Sequence, residues 1–329
     1  MIDLDYVLPL RWRGDGNLEE MTAYLRRLSA HVRVVVVDGS APELFERHAR
    51  AWGDFADHVR PDGDLDFVNG KVTGVTTGLR RARAEHVVIA DDDVRYDEET
   101  LARMDALLAG ADLVRPQNYY RPLPWHARWD TARTLLNRAF GADYPGTFGV
   151  RRSIFLAMGG YDGDVLFENL ELIRTVRAHG GRECRPRDLF VPRVPPGLDR
   201  FRAQRVWQAY DDLAQPARMA FFLLVLPAVT AALLRRRHRA VLACAVLAVV
   251  LAEIGRRRGG GSRVYPFTSA LLAPGWVLER GVCAWVALGA RVSGRGIPYW
   301  GRRIQVAGHS VARLRRSRPA GRARSLTST

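Results

Sequence analysis

Residues 85–97 read EHVVIADDDVRYD, in which an apolar run stops at three consecutive carboxylates. The run Val87-Val88-Ile89-Ala90 is mostly β-branched and predicts a buried strand. Because side chains alternate along a strand, Asp91 and Asp93 should point one way and Asp92 the other. Two carboxylates on one side repel each other unless a cation lies between them, and Mg²⁺ or Mn²⁺ suits such oxygen ligands. The stretch predicts a metal site at the end of a strand, with an acidic turn capping a helix over residues 98–108 as the alternative.

Two further apolar runs, at residues 6–10 and 32–37, flank a segment with helical spacing at residues 18–28. This strand–helix–strand pattern predicts the start of a parallel sheet. The second run ends at Asp38-Gly39-Ser40, where an acid can accept hydrogen bonds from a nucleotide's base or ribose. For these three residues alone, a plain β-turn is the better prediction.

The chain contains a single lysine among 50 basic residues, in Asn69-Gly70-Lys71, ahead of a helix predicted over residues 72–84. A Gly-Lys pair that opens a helix puts backbone N–H groups and an ammonium where a phosphate can lie. An ammonium is a compact point charge that a guanidinium does not copy. We therefore predict a phosphate contact for Lys71, with a surface lysine that binds nothing as the alternative.

In their order and spacing, these segments resemble the nucleotide-sugar-binding half of family 2 glycosyltransferases, which have the GT-A fold. The resemblance covers residues 5–210 and rests on Leu8-Pro9-Leu10, Val37-Asp38-Gly39-Ser40, Asn69-Gly70-Lys71, Gly78-Leu79, Asp91-Asp92-Asp93 as the DXD motif, Gly149-Val150-Arg151-Arg152, Met158-Gly159-Gly160-Tyr161-Asp162 and Phe167-Glu168-Asn169-Leu170-Glu171-Leu172. The fold class that follows is α/β, a GT-A (Rossmann-like) mixed sheet flanked by helices, with a C-terminal apolar helical membrane region after it.

The resemblance also implies a reaction, the transfer of a sugar from a UDP- or GDP-sugar by a glycosyltransferase of the hexosyltransferase type. Mg²⁺ or Mn²⁺ on Asp91 and Asp93 would bridge the donor's diphosphate, with Asp92 and Lys71 beside it and Asp38 on the nucleoside. Departure of a nucleoside diphosphate builds negative charge on its phosphate, which a metal and an ammonium would stabilise.

The catalytic base is where the chain departs from the family. An inverting transfer needs a carboxylate to take the acceptor's proton, and the family uses the Asp of its ED motif. Here the aligned pair is Glu168-Asn169, and a neutral amide cannot take that proton. We favour Glu168 as the base, with Asn169 holding the acceptor. The alternatives are another acid (Asp162, Asp164 or Glu171), a retaining transfer, or an inactive enzyme.

A second departure lies at residues 200–210, RFRAQRVWQAY, where membrane-bound members of the family carry QXXRW. Arg205 and Trp207 are present but the spacing differs. A donor-site role for both residues is one reading, and an amphipathic helix is the other.

Composition changes after residue 215. Residues 219–234 and 240–252 are free of charged side chains and are followed by arginine clusters, and two further apolar stretches follow at residues 264–278 and 281–290. We predict three regions: a GT-A catalytic domain at 1–214, a membrane-associated helical region at 215–300 and a disordered basic tail at 301–329. Truncation near Gln215 should then release a soluble catalytic domain. Sixteen residues span only about 24 Å as a helix, so a re-entrant hairpin and a buried soluble subdomain compete with true spans.

The net charge of +15 comes from an arginine-rich composition and is weak evidence for nucleic acid. Three cysteines without metal spacing indicate a reducing compartment. The partners we expect are a nucleotide-sugar donor, a lipid or glycan acceptor and the membrane, with no nucleic acid. We place the catalytic domain on the cytoplasmic face of the cell membrane. A sugar-phosphate nucleotidyltransferase and a non-catalytic basic membrane scaffold are the alternative functions.

Overall fold

A computed structural model of the chain describes residues 1–317. The strands are β1 (Leu4–Leu10), β2 (Arg33–Asp38), β3 (Asp57–Val59), β4 (His86–Ala90), β5 (Leu113–Val114), β6 (Gln117–Tyr120), β7 (Thr147–Arg151), β8 (Glu183–Cys184), β9 (Phe190–Arg193), β10 (Ile297–Tyr299) and β11 (Arg302–Ile304). The α-helices are α1 (Leu18–Ser29), α2 (Pro42–Trp52), α3 (Gly70–Arg81), α4 (Glu98–Leu108), α5 (Trp125–Phe140), α6 (Arg152–Ala157), α7 (Glu168–Ala178), α8 (Leu198–Asp211), α9 (Pro216–Leu234), α10 (His238–Arg257), α11 (Phe267–Leu271), α12 (Ala273–Val292) and α13 (Val311–Arg316).

A seven-stranded mixed sheet in the order β3-β2-β1-β4-β7-β5-β8 forms the centre of the fold. Strands β3, β2, β1 and β4 are parallel, and β7 runs antiparallel to both β4 and β5. The last residues of β1 and β2, Leu10 and Asp38, are register partners, so the parallel strands end together at one edge. This arrangement confirms the predicted α/β class and puts the three carboxylates after β4 at that edge.

The strand side chains alternate between two cores. Tyr6, Val34 and Val88 pack with α1, α2 and α4 on one face, whereas Val7 and Val35 pack with α3, α6 and α7 on the other. Full burial of such a side chain stabilises the fold by about 1.5–3 kcal/mol relative to exposure. Both faces of the sheet are therefore covered, as a parallel sheet requires.

A third core joins the half that contains the sheet to the apolar helices. It contains Leu135 of α5, Tyr210 of α8, Phe222 of α9 and Trp276 of α12. Helix α10 comes so close to α5 that a Cβ on Gly255 would lie 1.9 Å from the Leu135 carbonyl oxygen. The predicted boundary between residues 214 and 215 is therefore not a break in packing. Contrary to the sequence-based expectation, truncation near that point should expose a core instead of releasing a soluble domain.

Helices α9 and α10 are joined by three arginines and form a hairpin, with a proline, Pro227, inside α9. They contain the predicted apolar segments and, by length and composition, are the two helices in residues 1–317 that could cross a membrane.

The predicted disordered tail is wrong for residues 301–317. Strand β11 and helix α13 are formed there, and the backbone N–H groups of Leu166 and Phe167 donate to the carbonyls of Val306 and Ala307 at 3.0 and 2.9 Å. The rest of that tail lies outside the described residues.

Candidate active site

The ends of β1 and β4 open into a cavity of about 950 Å³. Its walls come from the loop after β1, the ends of β4 and β9, the starts of α3 and α7, helix α8 and the β10–β11 turn. The charged side chains that line it include Lys71, Asp91, Asp92, Asp93, Glu168, Arg193 and Asp211. Most of the predicted donor-site and catalytic residues therefore share one cavity.

The three aspartates are divided as the strand pattern predicts. Asp91 and Asp93 share one partner, the guanidinium of Arg193, whereas the Asp92 carboxylate accepts a hydrogen bond from the Trp12 indole N–H at 2.7 Å. Helix α4 is capped by a different residue, Asp97, which accepts from the backbone N–H of Thr100. The alternative in which the triplet caps α4 is therefore wrong.

Lys71 reaches the carboxylates from the first turn of α3. Its ammonium lies 2.6 Å from Asp91 Oδ1, 2.9 Å from Glu168 Oε1 and 3.3 Å from Asn169 Oδ1. Burial alone would lower the pKa of Lys71, but attraction to Asp91 and Glu168 raises it above the ordinary value. Lys71 is thus a fixed positive charge beside Asp91.

Glycines set the position of Lys71 by letting α3 approach β1 closely. A Cβ on Gly78 would lie 2.2 Å from Val7 Cγ1, and one on Gly74 would lie 2.8 Å from Pro9 Cβ. Any larger side chain at these places would push the helix, and its first turn with it, away from the sheet.

Arg193, at the end of β9, lies between the two aspartates predicted to bind metal. Its Nε donates to Asp93 Oδ2 at 2.7 Å and its Nη2 to Asp91 Oδ2 at 3.3 Å. Gly146 leaves room for this contact, because a Cβ there would lie 2.5 Å from Asp91 Oδ2 and 3.0 Å from Arg193 Cζ. Sequence reasoning missed this residue, since nothing local separates it from the other arginines.

The carboxylates fit a divalent cation. Asp93 Oδ1 is buried and has no hydrogen-bond partner within residues 1–317, so one hard oxygen ligand is left free. Asp91, Asp93 and Glu168 are three acids in contact with two cations, Lys71 and Arg193. Their oxygens are ligands of the kind that Mg²⁺ or Mn²⁺ prefers, and Asp91 and Asp93 would hold the ion.

Glu168 and Asn169 open helix α7 and line the same cavity as the aspartates. Glu168 is paired with Lys71, while Asn169 accepts from Lys71 and donates from Nδ2 to the Pro145 carbonyl at 3.1 Å. Both residues therefore hold the side chain of Lys71 in position.

The nucleoside contact predicted for Asp38 does not fit the structure. Asp38 is fully buried, and its carboxylate lies 2.6 Å from His48 Nδ1 and 3.1 Å from His58 Nε2. Burial favours a higher pKa, but hydrogen bonds with His48, His58 and Ser40 lower the pKa of Asp38 below its ordinary value. The acid is closed off from the cavity by partners from α2 and β3, which are distant in sequence.

The two residues of the imperfect QXXRW match differ in their position relative to the cavity. Arg205 pairs with buried Asp130 at 3.1 Å and does not line the cavity, so the predicted donor-site role is not supported. Trp207 lines the cavity and lies against Tyr299, with ring centroids 5.9 Å apart.

The β10–β11 turn closes the cavity on the side of the loop after β1. Tyr299 donates its hydroxyl to Asn69 Oδ1 at 2.8 Å, and the Trp300 ring lies 4.5 Å from the Arg11 guanidinium and 4.4 Å from that of Arg13. Further along, His309 fixes the segment to fully buried Glu171 through its backbone N–H and ring nitrogen, both at 2.8 Å.

No protein-family model matches the chain, and no curated protein sequence matches it. Among solved structures it is similar to the mannosyltransferase PcManGT from Pyrobaculum calidifontis in complex with GDP-Man and Mn²⁺, at 19% identity and a TM-score of 0.47 over 90% of this chain and 76% of that one. It is also similar to glucosyl-3-phosphoglycerate synthase from Mycobacterium tuberculosis in complex with Mn²⁺, UDP-Glc and phosphoglyceric acid, at 19% identity and 0.42 over 63% and 77% of the two chains. Mannosyl-3-phosphoglycerate synthase from Rubrobacter xylanophilus is similar at 16% identity and 0.42 over 65% and 75%. At these identities and TM-scores, the function of the chain has to be argued from its own residues.

Proposed function

We propose that the protein is a glycosyltransferase that takes a sugar from a UDP- or GDP-sugar in the presence of Mg²⁺ or Mn²⁺. The observation that carries the proposal is the meeting of Lys71 with Asp91, Asp93 and Glu168 in one cavity at the carboxyl end of the parallel strands. An ammonium beside several carboxylates suits a metal-bound diphosphate, because the metal ion and the Lys71 ammonium would together balance the negative charge of the diphosphate. Two of the solved structures named above hold GDP-Man or UDP-Glc with Mn²⁺, and these are the donors to try first.

In this proposal Asp91 and Asp93 hold the divalent cation, which supplies charge stabilisation for the leaving nucleoside diphosphate. Lys71 binds the diphosphate and stabilises the charge that develops on it. Trp12 keeps the carboxylate of Asp92 turned toward the loop after β1. Glu168 and Asn169 keep Lys71 in place through their contacts with its ammonium.

The acceptor we propose is amphipathic, with a hydroxyl group and a long apolar chain. A second, apolar cavity of about 830 Å³ lies between α5, α9, α10 and α12, with Phe222, Val225 and Trp276 in its wall. It shares Asn137, Tyr144, Gln215 and Arg218 with the cavity that contains Lys71 and the aspartates, which we call the polar cavity. A lipid acceptor could therefore lie with its chain in the apolar cavity and its hydroxyl in the polar one.

The same helices support attachment to a membrane. Only 11% of the most apolar 18-residue stretch of α9, and of the helix that contains α10, is buried, whereas the core helix of a soluble protein would be mostly buried. Leu224, Leu247 and Trp285 are among the large side chains left exposed on α9, α10 and α12. Since the end of α10 packs on α5, shallow insertion of the hairpin is favoured over two free spans. We propose that the catalytic half lies on the cytoplasmic face of the cell membrane.

Donor binding tests the proposal. Purified protein is titrated with UDP-glucose and with GDP-mannose by calorimetry, with and without Mn²⁺. We expect one donor to bind in a Mn²⁺-dependent way, Asp91→Asn to abolish that dependence, and Asp199→Asn to leave it unchanged. Asp199 is a suitable control because it is fully exposed on α8. Absence of binding by any nucleotide-sugar would contradict the proposed function.

A further inference from the structure

Asp211, the last residue of α8, is a carboxylate that the donor site does not use. It lines the polar cavity, and its Oδ1 is buried without a hydrogen-bond partner in the described part of the chain. The next residue, Asp212, is by contrast paired with Arg218 at 2.8 Å and lies 3.7 Å from Arg280. Two adjacent acids thus differ completely in environment.

The charges around Asp211 come from four elements: Glu168 of α7, Asp212 after α8, Arg280 of α12 and Arg133 of α5. Burial is the largest influence and raises the pKa of Asp211 well above its ordinary value, and the two acids raise it further. The two arginines act in the opposite direction without reversing the shift. A carboxylate of raised pKa is a stronger proton acceptor than an ordinary one.

Glu168, the base favoured by sequence, is less free to accept a proton. Its Oε1 already accepts a hydrogen bond from the Lys71 ammonium at 2.9 Å, so this oxygen is engaged before any acceptor arrives. Its neighbour Asn169 has no basicity. Within the described cavity wall, Asp211 is the carboxylate that has neither an ion pair nor a hydrogen bond to its buried oxygen.

Asp211 also lies where an acceptor would enter. Gln215 and Arg218, four and seven residues further along the chain, line both the polar cavity and the apolar cavity. An acceptor hydroxyl at the junction of the two cavities would therefore meet the end of α8.

We propose that Asp211 is the general base that takes the proton of the acceptor hydroxyl, an inference that rests on the proposed glycosyl transfer. As the acceptor oxygen bonds to the anomeric carbon, its proton passes to the Asp211 carboxylate. The bond between that carbon and the diphosphate oxygen breaks, and its electron pair leaves with the nucleoside diphosphate. The product has the inverted anomeric configuration.

The test compares Asp211→Asn with Glu168→Gln and with the exposed control Asp199→Asn. Nucleoside diphosphate release from UDP-glucose and GDP-mannose is followed with Mn²⁺ and with octyl glucoside or water as acceptor, between pH 5 and 9. We expect Asp211→Asn to lower kcat by about 10² or more with donor affinity unchanged. The wild-type fall in kcat toward low pH, where Asp211 becomes protonated, should disappear in Asp211→Asn and persist in Glu168→Gln.

Thermal unfolding separates this result from misfolding. The pKa of Asp211 is higher in the folded than in the unfolded state. Between these two pKa values the folded protein binds more protons than the unfolded chain, so it loses stability as pH rises through this range. Asp211→Asn removes this loss, so its Tm at pH 8 should equal or exceed that of the wild type. Wild-type kcat with an unchanged pH profile in Asp211→Asn would overturn the inference while leaving the transferase intact. Failure of the wild type to bind any nucleotide-sugar would refute the proposed function and the inference with it.

Discussion

Replacement of Arg193 by methionine should make the metal-free protein less stable and its affinity for Mn²⁺ higher. The guanidinium is the resident counter-ion of Asp91 and Asp93, to which it donates at 3.3 and 2.7 Å. A divalent cation that binds both acids has to displace these contacts. Methionine retains most of the side-chain volume and removes the charge, so the two carboxylates repel each other until metal arrives.

The expected size of the effect follows from those two contacts. A hydrogen bond to a charged group contributes about 1.5–3 kcal/mol, and loss of one partner of a fully buried pair costs about 3–5 kcal/mol. Arg193 is 23% exposed and both aspartates are 20% exposed, so solvent screens part of this interaction. We expect a loss of about 2 kcal/mol in the free energy of unfolding without metal. Affinity for Mn²⁺ should rise by about 10-fold to 30-fold, since 1.4 kcal/mol corresponds to a factor of ten.

The assay is a Mn²⁺ titration without nucleotide, followed by the electron paramagnetic resonance signal of free Mn²⁺, together with thermal unfolding. Arg103→Met is the matched control, because Arg103 forms an exposed ion pair with Asp188 and neither residue lines the cavity. Unchanged Mn²⁺ affinity in Arg193→Met, or a weaker one, would show that Arg193 does not compete with the metal.

Three further outcomes follow from the geometry. Lys71→Arg should weaken donor binding by about 10-fold in calorimetry, because the longer guanidinium cannot occupy a place 2.6 Å from Asp91; full affinity would show that the ammonium is not needed. Gly146→Ala should abolish Mn²⁺ binding and destabilise the protein by about 1–3 kcal/mol in denaturant unfolding, and a normal titration would refute the close approach. A chain ended after Gln215 should aggregate during expression; recovery of a folded, monomeric fragment would contradict the shared core.

The half of the site that contains the three aspartates and Lys71 was predictable because its signals are local. An apolar β-branched run followed by acids predicts β4 and the division of Asp91 and Asp93 from Asp92, and the structure has both. The Gly-Lys pair likewise predicted the first turn of α3. In each case the backbone period decides where the side chain points.

The remainder depends on contacts between distant segments. Asp38 loses its predicted nucleoside contact because His48 and His58 close over it, ten and twenty residues further along the chain. Arg193 comes from β9 and meets Asp93 a hundred residues away. Asp211 and Asp212 lie a few residues before the change to apolar composition. This pair of adjacent acids is the one local signal that could have indicated Asp211 from the sequence.

Sugar transfer itself is the most direct test of the account. The protein is incubated with Mn²⁺, a total lipid extract and whichever of radiolabelled UDP-glucose or GDP-mannose binds, and label is measured in the organic phase. We expect wild type and Asp199→Asn to transfer label to an organic-soluble product, and Asp91→Asn and Asp211→Asn to transfer none above background. Label that stays in the aqueous phase with every donor, or equal transfer by Asp91→Asn, would contradict glycosyl transfer to an amphipathic acceptor at this site.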